Sequence, residues 1–91
     1  MTHTIRLPTI LRVHAGGEAT VSARGGTVGE AFADLGKRYP GLVRQLLDPD
    51  GSVPVFVNVF LNDEDIRYLQ GLNTPISAPS EIILLPSVAG G

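Results

Sequence analysis

The longest regular alternation in the chain runs from Val55 to Asn62. Val55, Val57, Val59 and Leu61 fall in one phase, and Phe56, Asn58, Phe60 and Asn62 in the other. Successive side chains of a strand point to opposite faces, so this stretch predicts a β-strand with its valines and Leu61 toward a core. A shorter alternation around Ile5 and Leu7 predicts a first strand over 3–7, closed by Pro8. Thr9 to His14 is apolar at Ile10, Leu11 and Val13 without a regular period. It reads as part of a long connection that turns at Ala15-Gly16-Gly17. Residues 19–23, with Val21 inward, predict a returning strand, and Arg24-Gly25-Gly26 a second turn.

The period then changes. Val28, Ala31, Phe32, Leu35 and Tyr39 recur at helical spacing. Thr27-Val28-Gly29-Glu30 has the capping-box form, in which Thr27 accepts from a free amide and Glu30 reaches back to another. Asp34 and Arg38 sit at i,i+4 on the opposite side. Pro40 ends the helix by driving Tyr39 out of helical dihedrals. A shorter helix follows over 42–47, and Asp48-Pro49-Asp50-Gly51 is a turn by composition. Beyond the long strand, Asn62-Asp63-Glu64-Asp65 turns the chain into a short return at Ile66-Arg67. Residues 68–76 are irregular, and Glu81 to Leu85 form the last strand with Ile82 and Leu84 inward.

Strand, strand, helix, short helix, strand, short strand, strand predicts an α+β fold. The expected architecture is a mixed sheet of four to five strands with one main helix and a short second helix. That is the β-grasp (ubiquitin-like) arrangement, with the first and last strands as central neighbours. The opposite face of the sheet then carries Phe60, Ile83 and Leu85, an apolar patch suited to docking a partner. The alternative is that residues 8–14 or 68–76 cover it.

Composition narrows the function classes. Ninety-one residues make one small domain, with 43 % hydrophobic and 18 % charged residues and a mean hydropathy of +0.18, a globular balance. No apolar run is long enough to span a bilayer, and the first residues do not resemble a signal peptide. The chain has no cysteine, which removes disulfides, thiolate nucleophiles and zinc-thiolate sites and fits a cytoplasmic protein. The net charge is −2, unevenly spread: residues 45–91 hold Arg67 against Asp48, Asp50, Asp63, Glu64, Asp65 and Glu81. Nucleic acid needs clustered Lys and Arg and is excluded as a partner.

No catalytic constellation emerges. His3 and His14 lack metal-ligand spacing and read as surface histidines. Asp63, Glu64 and Asp65 lack the glycine and distant glutamate of a calcium loop and read as a solvated turn. Neither Gly16-Gly17 nor Gly25-Gly26 is followed by Gly-Lys-Ser/Thr, so neither is a phosphate loop. The chain is expected to be no enzyme itself.

The remaining feature is the end: Leu84-Leu85-Pro86-Ser87-Val88-Ala89-Gly90-Gly91. Pro86 cannot donate to a ladder and marks where the strand gives out. The expected division is therefore a folded domain over 1–86 and a flexible tail over 87–91. Those five residues reach at most roughly 17 Å. Two glycines without Cβ atoms would let a terminal carboxylate enter a narrow cleft. Presentation of that carboxylate to other proteins is one reading; an ordinary frayed terminus or a cloning scar is the other.

Several stretches together resemble the ubiquitin-like sulfur carriers of the MoaD/ThiS family, in particular the actinobacterial CysO-type branch of cysteine biosynthesis. They are Pro8-Thr9-Ile10-Leu11-Arg12 with His14 and Gly16-Gly17, Phe56-Val57-Asn58, Asn62-Asp63-Glu64-Asp65-Ile66-Arg67, and Leu84-Leu85-Pro86 ending in Val88-Ala89-Gly90-Gly91. Ser87 departs from a proline or alanine often found there, which bears only on tail stiffness. The resemblance implies that Gly91 is adenylated by an ATP-dependent MoeB/ThiF-type activating enzyme, acting with a sulfurtransferase, and becomes a thiocarboxylate. Val88, Ala89 and Gly90 would be the tail recognised by that enzyme. It implies no cofactor bound by the chain itself, ATP being used by the activating enzyme. A PLP-dependent cysteine synthase or another sulfur-accepting synthase would take the sulfur, and a zinc metalloprotease would release cysteine. Molybdopterin, thiamin and thiosugar pathways are alternative destinations. A ubiquitin-like modifier, or an interaction module that does not use the tail, are readings of another class.

Overall fold

The computed structural model describes residues 2–55 and 57–86. Two strands, β1 (Thr2–Arg6) and β2 (Thr20–Arg24), form an antiparallel hairpin in which Ile5 pairs with Val21. Every second residue is buried in each strand, as half-buried sheet positions require. The connection is more regular than its sequence predicts: Thr9–Ala15 is a 3₁₀ helix that stops at Gly16 in the left-handed region, φ 65°. Ile10 and Val13 point out to solvent while Ala15 is buried. That outward placement of apolar residues is why the stretch carries no legible period.

The main helix, α1 (Val28–Arg38), starts as its capping residues dictate. Thr27 Oγ1 accepts from the Glu30 amide at 3.0 Å, and Glu30 Oε1 accepts from the Gly26 amide at 2.8 Å. The reciprocal bond thus falls one residue before the cap. Val28, Ala31, Phe32 and Leu35 are fully buried and face the sheet core of Ile5, Val59, Ile82 and Leu84. Gly25 permits this packing, because a Cβ there would stand 2.6 Å from the Ala31 nitrogen. Pro40 both closes α1 and begins α2 (Pro40–Leu46), whose Leu42 and Leu46 are buried.

The rest of the sheet comes from β3 (Val57–Leu61), β4 (Glu64–Asp65) and β5 (Glu81–Pro86). The strand order is β2-β1-β5-β3-β4, with β5 parallel to β1 and antiparallel to β3. A mixed five-stranded sheet with its first and last strands adjacent and a helix across one face is the expected β-grasp arrangement. β3 begins later than its alternation predicts. Val55 is 86 % exposed rather than inward, and its carbonyl accepts from Arg67 at 3.0 Å. Ile66–Tyr68 is a 3₁₀ turn capped by Asp65 rather than a returning strand. Gly71–Asn73 forms a further 3₁₀ turn within the stretch expected to be irregular.

His3 also differs from expectation. It is 1 % exposed and lies in the same phase of β1 as Ile5. With hydrogen on Nε2 the ring donates to the Gly25 carbonyl at 2.8 Å, while Nδ1 accepts from the Ser80 amide at 3.2 Å. One side chain thereby joins β1, the turn before α1 and the approach to β5. His14 is half-buried.

The Asp34–Arg38 pair, 3.2 Å apart, does more than brace its own helix. Asp34 Oδ2 also accepts from the Arg24 amide at 2.9 Å, and Arg38 Nη2 donates to the Ser22 carbonyl. These backbone groups belong to the edge strand β2, so α1 satisfies the edge that could otherwise pair with another chain. The Arg24 amide is the first cause of an Asp34 pKa below the ordinary carboxylate value; partial desolvation opposes it, and the Arg38 hydrogen bond and the Arg38 and Lys37 charges add to it.

Two outcomes follow for stability. His3→Ala leaves the Gly25 carbonyl and Ser80 amide without their partner and opens a cavity, and is expected to cost about 3 kcal/mol in denaturant unfolding. A depressed carboxylate pKa stabilises the fold above the unfolded-state pKa, and that contribution disappears as pH falls through the folded-state pKa. Urea titrations of wild type and Asp34→Asn should therefore differ most near neutrality and converge in acid.

Candidate functional site

β5 occupies the middle of the sheet, with two strands on either side. Its inward residues Ile82 and Leu84 are 0 % and 1 % exposed, and its outward Leu85 is 45 % exposed. Ile83 is half-buried. The register places Phe60, also half-buried, directly across from Ile83, and Asn58 across from Leu85. Phe60, Ile83 and Leu85 therefore share the face away from α1, as their phase predicts.

The surroundings of these side chains were not legible in the sequence. Across four neighbouring strands, one row of the outer face runs Arg6, Ile83, Phe60, Asp65. Arg6 pairs with Glu81, Nη2 to Oε2 at 2.8 Å and Nε to the same oxygen at 3.2 Å. This pair is largely solvated and contributes at most about 1 kcal/mol to stability. On the other side, Asn58 Oδ1 accepts from Arg67 Nη1 at 2.8 Å. An apolar group thus lies between polar flanks whose geometry is fixed by hydrogen bonds. Asn58 carried one signal, being a polar residue within an otherwise apolar strand. Arg6 and Glu81 carried none, because they meet only when the two ends of the chain pair.

Val88, Ala89, Gly90 and Gly91 lie outside the described residues, as does Phe56. What the structure does place is the point from which they continue: Pro86 is the last residue of β5 and pairs with Val57. Among the described residues no three His, Cys, Asp or Glu side chains converge on a metal position. Of the acidic turn, Asp65 Oδ1 accepts from the Arg67 amide at 2.9 Å and so caps the 3₁₀ turn. No helix among the described residues is long and apolar enough to cross a membrane.

The fold and this strand geometry define a small ubiquitin-like protein of the β-grasp class. Within that class the chain belongs to the ThiS family, which it matches over residues 5–91, and it is a CysO-like sulfur carrier protein. It is 45 % identical over 93 aligned positions to the sulfur carrier protein CysO of Mycobacterium tuberculosis, with all of both chains covered. The crystal structure of the Amycolatopsis orientalis BexX/CysO complex contains a chain similar at TM-score 0.88 and 41 % identity, covering 97 % of this chain and 98 % of that one. SAMP1 from Haloferax volcanii is similar at TM-score 0.82 and 29 % identity over the whole of both chains.

The phase of β5 has a direct check. Leu84→Ala empties a core position and is expected to cost roughly 2–5 kcal/mol. Leu85→Ala, on the outer face, should stay under about 1 kcal/mol. Reversal of that order in equilibrium unfolding would invalidate the face assignment.

Proposed function

We propose that this protein carries sulfur as a thiocarboxylate on Gly91, and that the sulfur is destined for cysteine biosynthesis. The observation that carries this reading is the 45 % identity with mycobacterial CysO over the full length of both chains, which aligns Gly91 with the end of a known sulfur carrier. A carboxylate is a poor electrophile. In the proposed sequence, a terminal oxygen of Gly91 attacks the α-phosphorus of ATP and pyrophosphate leaves. A sulfide equivalent then attacks the acyl carbon and AMP departs, leaving sulfur where oxygen was. The activating enzyme, of the MoeB/ThiF type, binds the ATP, and a sulfurtransferase supplies the sulfur. The carrier contributes the glycine tail over 87–91 and a folded platform over 1–86.

Leu85, Ile83 and Phe60 suit docking onto that enzyme, because they form an apolar group beside the root of the tail. Gly90, with no Cβ, is narrow enough to follow Gly91 into a cleft, with Ala89 and Val88 recognised behind it. The thiocarboxylate sulfur would bond to the β-carbon of an activated serine on a PLP-dependent cysteine synthase as the serine's leaving group departs. The acyl group would shift from sulfur to the amine, and a zinc metalloprotease would hydrolyse the resulting amide to release cysteine. We place the reaction in the cytoplasm, where ATP is at hand. The BexX/CysO complex favours a second destination, in which the carrier serves a different partner protein. SAMP1 is a small archaeal modifier protein, and the likeness to it favours a modifier, joined to lysines through the same tail.

Intact mass spectrometry separates these readings. Incubation with ATP, an activating enzyme and a sulfide source should add the mass difference of one oxygen-to-sulfur exchange, located on Gly91 by fragmentation. Deletion of Gly90 and Gly91 should abolish the shift while leaving the circular-dichroism spectrum unchanged. Higher-mass conjugates to lysine with no thiocarboxylate would overturn the carrier reading in favour of the modifier.

A further inference from the structure

Arg67 is the single basic residue of the second half of the sequence, yet among the described residues it forms no salt bridge. Its guanidinium is spent on neutral acceptors. Nη1 donates to Asn58 Oδ1 at 2.8 Å, and Nη2 to the carbonyls of Val57 at 2.6 Å, Val55 at 3.0 Å and Pro54 at 3.3 Å. The backbone of Arg67 is held in turn, its amide donating to Asp65 Oδ1 at 2.9 Å. The side chain therefore starts from a capped turn beside β4 and reaches the beginning of β3.

That destination matters because of what pairs with it. Val57 stands opposite Pro86, and Asn58 opposite Leu85, the last two positions of β5. The Asn62 amide donates to the Glu81 carbonyl, so by alternation Val57–Pro86 is a non-hydrogen-bonded pair, and the Val57 carbonyl is turned away from β5 toward Arg67. An arginine fork can hold a side-chain amide and neighbouring carbonyls together, whereas the single ammonium of a lysine cannot span both.

We propose that Arg67 is a positioning residue: by clamping the start of β3 to the β4 turn, it fixes where Pro86 sits and the direction in which the tail leaves. The inference rests on the carrier reading, since the exit direction matters only if the tail must enter a partner's cleft. The Arg67 side chain makes no hydrogen bond to Phe60, Ile83 or Leu85. Arg67 thus acts on delivery of Gly91 more than on binding of the body.

The test uses the full chain with Arg67→Gln and Arg67→Lys. ATP-dependent pyrophosphate release with an activating enzyme that accepts the wild type gives the kinetics. For Arg67→Gln, kcat should fall about tenfold or more, as misplacement of a reacting group requires. KM for the carrier should stay within about twofold, the pattern of a contact that matters after binding. Arg67→Lys should be intermediate. Amide hydrogen exchange, read without any enzyme, should accelerate at Val57 and Leu85 in Arg67→Gln. Should that variant fail to fold, Asn58→Ala removes one arm of the clamp and should show the same kcat effect at smaller size. Unchanged kcat, or a rise in KM alone, overturns the inference. If no activating enzyme accepts the wild type, the carrier reading fails instead, and unchanged exchange at Val57 and Leu85 would overturn the clamp separately.

Discussion

The parallel pairing of β5 with β1 is the constraint on which the rest of the molecule depends. It joins residues 81–83 to residues 4–6, nearly the whole sequence apart, and it sets which side chains of β5 face the core. Strand side chains alternate, so a slip of one residue would expel Ile82 and Leu84 and bury Ile83 and Leu85. The register is held at its entry by bonds outside the ladder itself. The Thr4 amide donates to the Ser80 carbonyl at 3.0 Å, and the Ser80 amide donates to His3 Nδ1. His3 is bonded at its other nitrogen to Gly25, the residue whose missing Cβ lets α1 approach. Register, helix position and the interior histidine therefore support one another.

The other end of β5 reaches Pro86, opposite Val57. β1 pairs with β5 only over 81–83, so residues 84–86 are held in the sheet by β3 alone. The outer face beside that point combines aliphatic and aromatic area from Leu85, Ile83 and Phe60 with polar flanks. Its rim is held by hydrogen bonds, Arg6 to Glu81 on one side and Arg67 to Asn58 on the other. The sheet edges are managed differently. β4 is only two residues long, and β2 has backbone groups satisfied by Asp34 and Arg38 of α1. The result is a small protein whose exposed sheet area is directed to one face rather than to its edges.

Much of this was legible in the sequence because it depends on local chemistry. The alternation of Val57, Val59 and Leu61 set the phase of β3. The Thr27 cap and the spacing of Val28, Ala31, Phe32 and Leu35 identified α1, and the pairing of its first turn with the chain before it. Ile82 and Leu84 declared the inner face of β5 in the same way, and with it the outward direction of Leu85. Glycines following Pro86, together with the motifs around Asn58 and Asp65, carried the family.

Tertiary structure decided the features that need partners remote in sequence. His3 reads as a polar residue near a chain end. It is buried because two backbone groups, 22 and 77 residues away, satisfy both ring nitrogens. Val55 belongs by pattern to β3, but the strand begins at Val57, and the Val55 carbonyl accepts from Arg67, twelve residues further on. Asp34 and Arg38 look like a helix-surface pair, and only the packing of α1 against β2 makes them guardians of an edge. Periodicity reports which way a side chain points; it cannot report which distant backbone group will be there to meet it, and that difference separates what the sequence by itself determined from what folding had to supply.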